Sequence, residues 1–349
     1  MSQTKVAAPF IANNANFRNL LINGEMQVTQ KADTSVHNNG LVRPCDMWKQ
    51  EASNCDNLTG TLAIDSSVPA GYGFSGSLRF DTTTAESALA SDENVKLVTD
   101  VEAQNAHHLC YGHADAKKTV LNWWSKSNLS GSSNKFVINV SAPDGSRHIS
   151  KTFFHASANT WENFTFVIDG DSSGTINDDN GVGLTLTWVL AAGSDYTSTD
   201  STSWVSTSNA GLAYQQTANI TSSTSNDFYI TGVQLEVGEV ATDFEHLPFD
   251  VQFHRCQRYF QKITHRYRIV TRWNNNSGSP IGYMDFMQTM NHEPTVTNSG
   301  TYEDGTGYGQ TPSYGGTTAD GTYIAGAVSV STNNTHYIHN GVSEMDAQL

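Results

Sequence analysis

The chain is organised around the stretch FYITGVQLEVGEVATDFEHLPFDVQFHRCQRYFQ, residues 228–261. Its first ten residues alternate between apolar and small or polar side chains, which predicts a β-strand. Gly232 predicts a bulge in this strand, and Gly238 predicts the turn that ends it. Composition changes after Pro248, so we interpret the stretch as the last strand of one domain and the connector to a second. We expect three of its apolar side chains to be buried: Val233, Leu235 and Phe244.

Outward from this stretch, the chain consists of short apolar runs separated by Ser, Thr, Asn and Gly. Only 15% of the 349 residues are charged. This composition favours a β-rich fold with many turns, and the length allows two domains of ordinary size. We predict an extended N-terminal arm over residues 1–17, a β-sandwich domain over residues 18–247, and a small all-β domain over residues 248–349.

Charge and hydropathy exclude several classes of partner. The formal net charge of -15 argues against binding to a nucleic-acid backbone. No apolar run approaches the roughly 18 residues of a membrane span, and no secretory signal is recognisable, so we expect synthesis in a cytoplasm. The four cysteines are too few and too scattered for a disulfide framework, which predicts free thiols.

Two segments carry specific secondary-structure predictions. In RNLLINGEMQVTQ, residues 18–30, apolar residues alternate around Asn23-Gly24, which predicts a strand, a tight turn and a strand. In DVEAQNAHHLCYG, residues 100–112, apolar residues stand at helical spacing between Asp100 as a cap and Gly112 as a stop. One short helix is therefore predicted in a chain that is otherwise β-structured.

Several stretches resemble a family of bacteriophage virion proteins of the marine or cyanophage type. These proteins are commonly described as tail-fibre or carbohydrate-binding-like jelly rolls. The resemblance rests on RNLLINGEMQVTQ followed by Asp46–Trp48, on VEAQNAHHLCYGHADAKKTVLNWWSKS, on TWENFTFVIDGDSSGTINDDNGVGLTLTWVLAAGS, on the stretch at 228–261 and on the terminal DAQL. It covers most of the chain, from about Arg18 to Leu349.

The resemblance implies a jelly-roll β-sandwich with one short helix, and a non-enzymatic virion component that attaches to host surface glycans. It also implies a homotrimer that contacts other virion proteins, and no catalytic residues. The chain departs from the family pattern at Met47, where an arginine is usual, and it shows no long N-terminal shaft. Two alternatives stay open: a capsid-decorating or head-fibre protein docked by the N-terminal arm, and a glycan depolymerase.

The loop from Asp169 to Asn180 resembles the first nine positions of a calcium loop. Oxygen-bearing side chains stand at positions one, three and five, with glycine at six. The glutamate expected at position twelve is replaced by Asn180, so a polar turn between two strands is the alternative. The candidate Ca²⁺ ligands are Asp169, Asp171, Ser173, Asp178 and Asp179.

Two further groups are candidates for ligand binding. Trp123 and Trp124 are adjacent in a predicted strand and must point to opposite faces, so one packs in the core and the other can stack on a sugar ring or on a partner. A basic cluster begins at Arg255, and at strand spacing it places Arg266, Arg268 and Arg272 on one face. This face fits an anionic glycan or an acidic subunit, or is simply solvated.

Overall fold

The computed structural model describes residues 17–31, 35–36, 40–265, 268–270, 281–304, 309–310, 313–325 and 335–349. The chain forms two compact units, Met1–Phe249 and Asp250–Leu349. The predicted arm lies outside the described residues except for Phe17. In the described part of the chain, no helix is long and apolar enough to cross a membrane.

The described part of the first unit is a sandwich of two antiparallel sheets. The six-stranded sheet has, in spatial order, β1 (Ser35–Val36), β4 (Thr59–Asp65), β5 (Ser77–Thr84), β13 (Asp227–Val237), β7 (Thr119–Ser127) and β10 (Glu162–Ile168). The seven-stranded sheet has β12 (Val205–Ser206), β9 (Arg147–Phe153), β8 (Phe136–Ala142), β11 (Val182–Ala192), β6 (Asn94–Glu102), β3 (Trp48–Ser53) and β2 (Gly40–Cys45). The predicted all-β jelly-roll sandwich is confirmed.

Aromatic rings from the two sheets meet in the core. Trp123 on β7 contacts Trp188 on β11 with ring centroids 5.8 Å apart, and Phe136 on β8 contacts Phe228 on β13 at 5.4 Å. All four side chains are fully buried. Burial of large apolar side chains is the main favourable contribution to folding, so these contacts hold the two sheets together.

The strand predicted from residues 228–237 is β13, and it lies between β5 and β7. Its pairing with β7 shifts register between Thr231 and Gln234, which confirms the predicted bulge. Gly232 lies at this bulge with φ 61°, and a Cβ there would collide with the ring of Phe74. Of the three side chains expected to be buried, Val233 and Leu235 are fully buried, and Phe244 is half-buried against Phe74.

The predicted hairpin at residues 18–30 is wrong. This segment is irregular, although its apolar side chains are buried as expected. Asn23 (φ 58°) accepts a hydrogen bond from the Val28 N–H at 3.0 Å, and its amide group donates to the carbonyls of Val28 and Asp46, each at 2.9 Å. Side-chain amides and a few isolated backbone bonds, such as that from the Leu20 N–H to the carbonyl of Leu235, therefore take the place of a regular strand ladder.

The predicted short helix exists, but it begins later than expected. Strand β6 continues through Glu102, so Asp100 lies in a strand and forms an ion pair with Lys49 at 2.8 Å instead of capping a helix. Helix α1 (Ala103–Ala106) follows, and a 3₁₀ turn (His107–Leu109) ends at Cys110 in the left-handed conformation.

The segment interpreted as a connector contains a helix that the sequence pattern does not predict, α2 (Phe249–Gln257), and all of this helix after Phe249 belongs to the second unit. Its described strands form two antiparallel sheets. One contains β14 (Phe260–His265), β15 (Arg268–Val270), β17 (Thr295–Asp304), β18 (Gly309–Gln310) and β21 (Thr335–Asp346), and the other contains β16 (Ile281–Asp285), β19 (Ser313–Gly315) and β20 (Gly321–Ala325).

Candidate functional site

The outer face of the six-stranded sheet carries the candidate site. Successive side chains of a strand point to opposite faces, so β7 directs Trp123 into the core and Trp124 outward. Trp123 is 0% exposed, whereas Trp124 is half-buried and lines a surface groove of about 690 Å³. We call this surface the aromatic groove.

Strand register assembles the floor of the aromatic groove. Trp124 lies opposite Asn163 on β10, and in the next outward row Asn122 lies opposite Thr165. These four side chains come from two neighbouring strands and share one face. The floor therefore places an aromatic ring beside short polar side chains.

The loop between β4 and β5, residues 66–76, forms one wall. It places Tyr72 over Trp124, with ring centroids 4.4 Å apart and the planes inclined by 49°. Tyr72 is 53% exposed, so part of its ring remains available to a ligand. Glycines with positive φ stand on both sides of it, Gly71 (φ 86°) and Gly73 (φ 81°).

A second wall is the segment of residues 241–246, which follows β13. Thr242 donates hydrogen bonds from its N–H and hydroxyl to the carboxylate of Glu236, each at 2.8 Å. The N–H of Glu245 donates to the side chain of Gln234 at 2.8 Å, and Arg18 forms an ion pair with Glu236 at 3.5 Å. These bonds hold an irregular segment in place against the strand.

The polar part of the floor is an amide pair. The amide group of Asn122 donates to Asn163 Oδ1 at 2.9 Å, and Asn163 donates in return to Asn122 Oδ1 at 3.1 Å. Asn122 also donates to Thr165 Oγ1 at 2.7 Å. An amide oxygen and a hydroxyl each accept two hydrogen bonds, so this row retains acceptor capacity toward the groove.

His246 connects the two walls. Its Nδ1 lies 2.8 Å from Glu25 Oε2, and its Nε2 lies 2.9 Å from the carbonyl oxygen of Tyr72. Glu25 belongs to the irregular segment at residues 18–30 and is buried. Burial raises the pKa of the Glu25 carboxyl group, and the hydrogen bond and charge of His246 oppose that increase.

A row of alternating aromatic and cationic side chains lies beside the groove on the same face. Lys126 Nζ is 3.9 Å from the ring centroid of Tyr229 and 5.4 Å from that of Trp161, and Arg79 lies 5.4 Å from Tyr229 on the other side. Lys126 also donates to Ser67 Oγ at 2.7 Å. Burial lowers the pKa of Lys126. The row fixes the start of the loop that carries Tyr72.

The seven-stranded sheet has a groove of its own, of about 380 Å³. No Trp, Tyr or Phe is among the described residues that line it. Its lysines are paired with acids, Lys49 with Asp100 at 2.8 Å and Lys96 with Glu51 at 3.1 Å. This surface lacks the aromatic platform of the aromatic groove, and its charges largely compensate one another.

The structure does not gather the candidate calcium ligands. Asp169 forms an ion pair with Lys118 at 3.3 Å. Asp171 is buried and forms an ion pair with Arg147. Asp178 and Asp179 are exposed, and the N–H of Ser173 donates to Asp171 Oδ1 at 3.0 Å. Among the residues that the structure describes, no three His, Cys, Asp or Glu side chains are placed to hold a metal ion.

The basic face predicted in the second unit stays a prediction. Arg268 begins strand β15, where it pairs with Tyr337 on β21. Arg266 and Arg272 lie outside the described residues.

The sequence pattern predicts only one residue of the aromatic groove, Trp124. Trp124 was a candidate because a Trp pair in a strand must present one ring outward. Nothing in the sequence connects Tyr72 or His246 with Trp124, because they are far apart in the chain and only the tertiary fold brings them together. Asn122 and Asn163 are also 41 residues apart and meet through the pairing of β7 with β10.

Comparison with known proteins gives structural similarities only. No family model matches the chain, and no curated protein matches its sequence. Among solved structures, the enzymatically active domain of tailspike protein 4 of bacteriophage CBA120 matches with a TM-score of 0.34 and 10% identity, over 64% of this chain and 22% of that one. A putative sugar-binding protein from Bacteroides thetaiotaomicron matches with a TM-score of 0.34 and 10% identity, over 63% of this chain and 100% of that one.

A third match is TmCBM61 in complex with β-1,4-galactotriose, with a TM-score of 0.30 and 11% identity, over 63% of this chain and 99% of that one. These values are too low to support an argument about function, which therefore rests on the geometry of the aromatic groove.

Proposed function

We propose that this chain is a non-enzymatic bacteriophage virion protein of the tail-fibre or receptor-binding type, whose jelly roll binds host surface glycans. The observation that carries the binding proposal is the exposed Tyr72 ring over the half-buried Trp124, beside the Asn122–Asn163 amide pair on one sheet face. The virion assignment is supported by the resemblance of the sequence to phage virion proteins.

Carbohydrates suit this arrangement for a physical reason. A pyranose ring has an apolar C–H face and a rim of hydroxyl groups. The C–H face can pack on an aromatic ring, while amide and hydroxyl groups donate to and accept from the rim. Rigid aromatic anchors combined with a few placed polar groups are typical of small-molecule binding sites. The aromatic groove provides both on a floor of two paired strands.

The lining of the groove favours binding over hydrolysis. Typical glycoside hydrolases place two carboxyl groups on either side of the scissile bond. Among the described residues that line the aromatic groove, Asp243 is the only Asp or Glu. One carboxylate can accept a hydrogen bond from a sugar hydroxyl, but it does not provide the acid and the base that hydrolysis requires.

A glycan array followed by calorimetry tests the binding proposal. We expect W124A and Y72A each to weaken affinity for the oligosaccharide identified on the array by about tenfold or more, because each removes a stacking surface. The matched control is F154A, which truncates an exposed ring elsewhere on the first unit. Undiminished binding by folded W124A, or equal loss in F154A, would overturn the assignment of the site.

The place in the virion and the assembly state need separate tests. Antibody labelling of intact particles should give signal at the tail, and labelling of the head alone would instead support a capsid-decorating protein. Analytical ultracentrifugation should give the mass of a homotrimer, which the resemblance implies. Incubation with host polysaccharide should release no new reducing ends, and their release would contradict the non-enzymatic assignment.

A further inference from the structure

We infer that His246 and Glu25 position Tyr72 over Trp124 only while the pair retains a shared proton, so that ligand binding in the aromatic groove weakens as pH rises. The statement about binding rests on the proposed function, whereas the movement of Tyr72 does not. His246 acts through Tyr72 and is therefore a positioning residue.

The inference begins with the acceptors around the imidazole ring. Nδ1 faces a carboxylate oxygen of Glu25 at 2.8 Å, and Nε2 faces the carbonyl oxygen of Tyr72 at 2.9 Å. A carbonyl oxygen can only accept a hydrogen bond, so Nε2 must carry a proton for that contact to form. The second contact requires one more proton, on either Nδ1 or Glu25.

Proton counting then gives two arrangements that satisfy both contacts. In the first, a doubly protonated imidazole donates to the Glu25 carboxylate and to Tyr72. In the second, a protonated Glu25 donates to Nδ1 and a neutral imidazole donates to Tyr72. Both contain one more proton than a neutral histidine beside a carboxylate. Loss of that proton leaves a single N–H facing two acceptors, and one contact must break.

Burial decides which contact breaks. Glu25 is 2% exposed, and an ionised carboxylate at such a site is costly without a donor. The carbonyl of Tyr72 belongs to a surface loop, where water can replace the histidine. The remaining proton therefore stays on Nδ1 toward Glu25, and the lone pair of Nε2 then faces the lone pairs of the Tyr72 carbonyl. We expect the Tyr72 contact to be lost.

The other groups around His246 do not supply a substitute proton. The rings of Phe74 and Phe244 pack against the imidazole, with centroids 5.3 and 5.0 Å away. The loop SSVPAGYGFSG, residues 66–76, contains no charged side chain. On the segment of His246 itself, Asp243 and Glu245 are acidic, and Glu245 accepts from the N–H groups of Phe17 and Asn19. Glu25 is thus the one charged group bonded to the ring among the described residues.

We expect Tyr72 to be able to move without unfolding its neighbours. Gly71 and Gly73 flank Tyr72, both with positive φ; a Cβ at Gly71 would meet nothing within 4 Å, whereas a Cβ at Gly73 would lie 3.3 Å from Nε2 of His246. The ends of the loop have further contacts besides the His246 hydrogen bond: Ser67 is bonded to Lys126, and Phe74 packs on Phe244 as well as on the imidazole ring. Loss of the His246 contact therefore releases the residue between two glycines and leaves the loop ends in place.

Fluorine NMR of protein labelled with fluorotryptophan tests the movement without a ligand. The Trp124 resonance is identified as the signal that disappears in W124F. We expect it to shift with pH between about 5 and about 9 in the wild type, because Tyr72 leaves the indole when the proton is lost. A Trp124 resonance that does not shift with pH would overturn the inference.

E25Q distinguishes a proton-dependent contact from a merely structural one. The glutamine amide can donate to Nδ1, so a neutral imidazole satisfies both neighbours, and the Trp124 resonance should keep its low-pH position at every pH. H246F removes both contacts and should hold the resonance near its high-pH position throughout. A pH shift in E25Q equal to that of the wild type would contradict the role of the pair.

Calorimetry with the oligosaccharide identified on the array completes the test. Wild-type affinity should fall by about tenfold from the low to the high end of the range, and E25Q affinity should stay constant. If the Trp124 resonance shifts with pH but no glycan binds at any pH, the proposed function is wrong and the positioning role of His246 stands. If glycan binds with the same affinity at every pH in this range, the positioning role of His246 is wrong and the proposed function stands.

Discussion

At the scale of single residues, His155 makes the first unit sensitive to acid. It is fully buried, its Nε2 lies 3.1 Å from Ser125 Oγ, and four phenylalanine rings surround it: Phe136, Phe153, Phe164 and Phe228. Burial in these apolar surroundings lowers the pKa of His155 to about 4. The folded protein therefore binds fewer protons than the unfolded chain at mildly acidic pH.

The sign of the pH dependence follows from that difference. The stability that a neutral His155 contributes is fully present above the ordinary histidine pKa, and it is lost as pH falls from about 6.5 to about 4, by about 3 kcal/mol in total. In H155F the residue no longer titrates, so its free energy of unfolding should fall less over this range. Urea unfolding of both proteins at the two pH values measures the difference. Equal losses in the two proteins would contradict the prediction.

At the scale of elements, the bulge in β13 depends on Gly232. Its φ of 61° disfavours any other residue, and an added Cβ would also meet the ring of Phe74. We expect G232A to lower the free energy of unfolding by about 2–4 kcal/mol, as the sum of backbone strain and steric overlap. G131A is the matched control, because Gly131 has φ 83° and open space around it. Similar losses in both variants would exclude a packing contribution.

The same strand shows what could be predicted from the sequence. β13 was recognisable because its apolar residues alternate and because a glycine within a strand indicates a bulge. Residues 18–30 also alternate, yet they form an irregular segment. Within it Asn19 accepts from the N–H of Leu21 and Asn23 from the N–H of Val28. Asn19 also bonds to the backbone of Val233 and Leu235 on β13. Alternation of apolar residues indicates which side chains are buried, but it does not specify which groups form hydrogen bonds with the backbone. Those hydrogen-bond partners are set by tertiary contacts.

The same limit applies to the aromatic groove. Trp124 was a candidate from its position beside Trp123, but its neighbours come from three other segments: Asn163 on β10, Tyr72 on a loop, and His246 after β13. Strand order and register bring them together, and neither is a local property of the sequence. The calcium prediction rests only on the spacing of oxygen-bearing residues along the loop. In the fold, Asp169 and Asp171 instead form ion pairs with two different cationic side chains, Lys118 and Arg147.

At the scale of the whole molecule, the two compact units lead to a prediction about which part of the chain binds. The sandwich core, the aromatic groove and the His246–Glu25 pair all belong to the first unit. A fragment of residues 17–249 contains the complete two-sheet core, so we expect it to fold on its own and to unfold in one cooperative transition.

The fragment should also bind the array-selected oligosaccharide with an affinity within about twofold of that of the full chain, because every residue that lines the groove lies within it. Calorimetry on the fragment and on the full chain measures this, and W124A in the fragment provides the control for site-specific binding. Much weaker binding by the folded fragment than by the full chain would contradict the assignment of the whole site to the first unit.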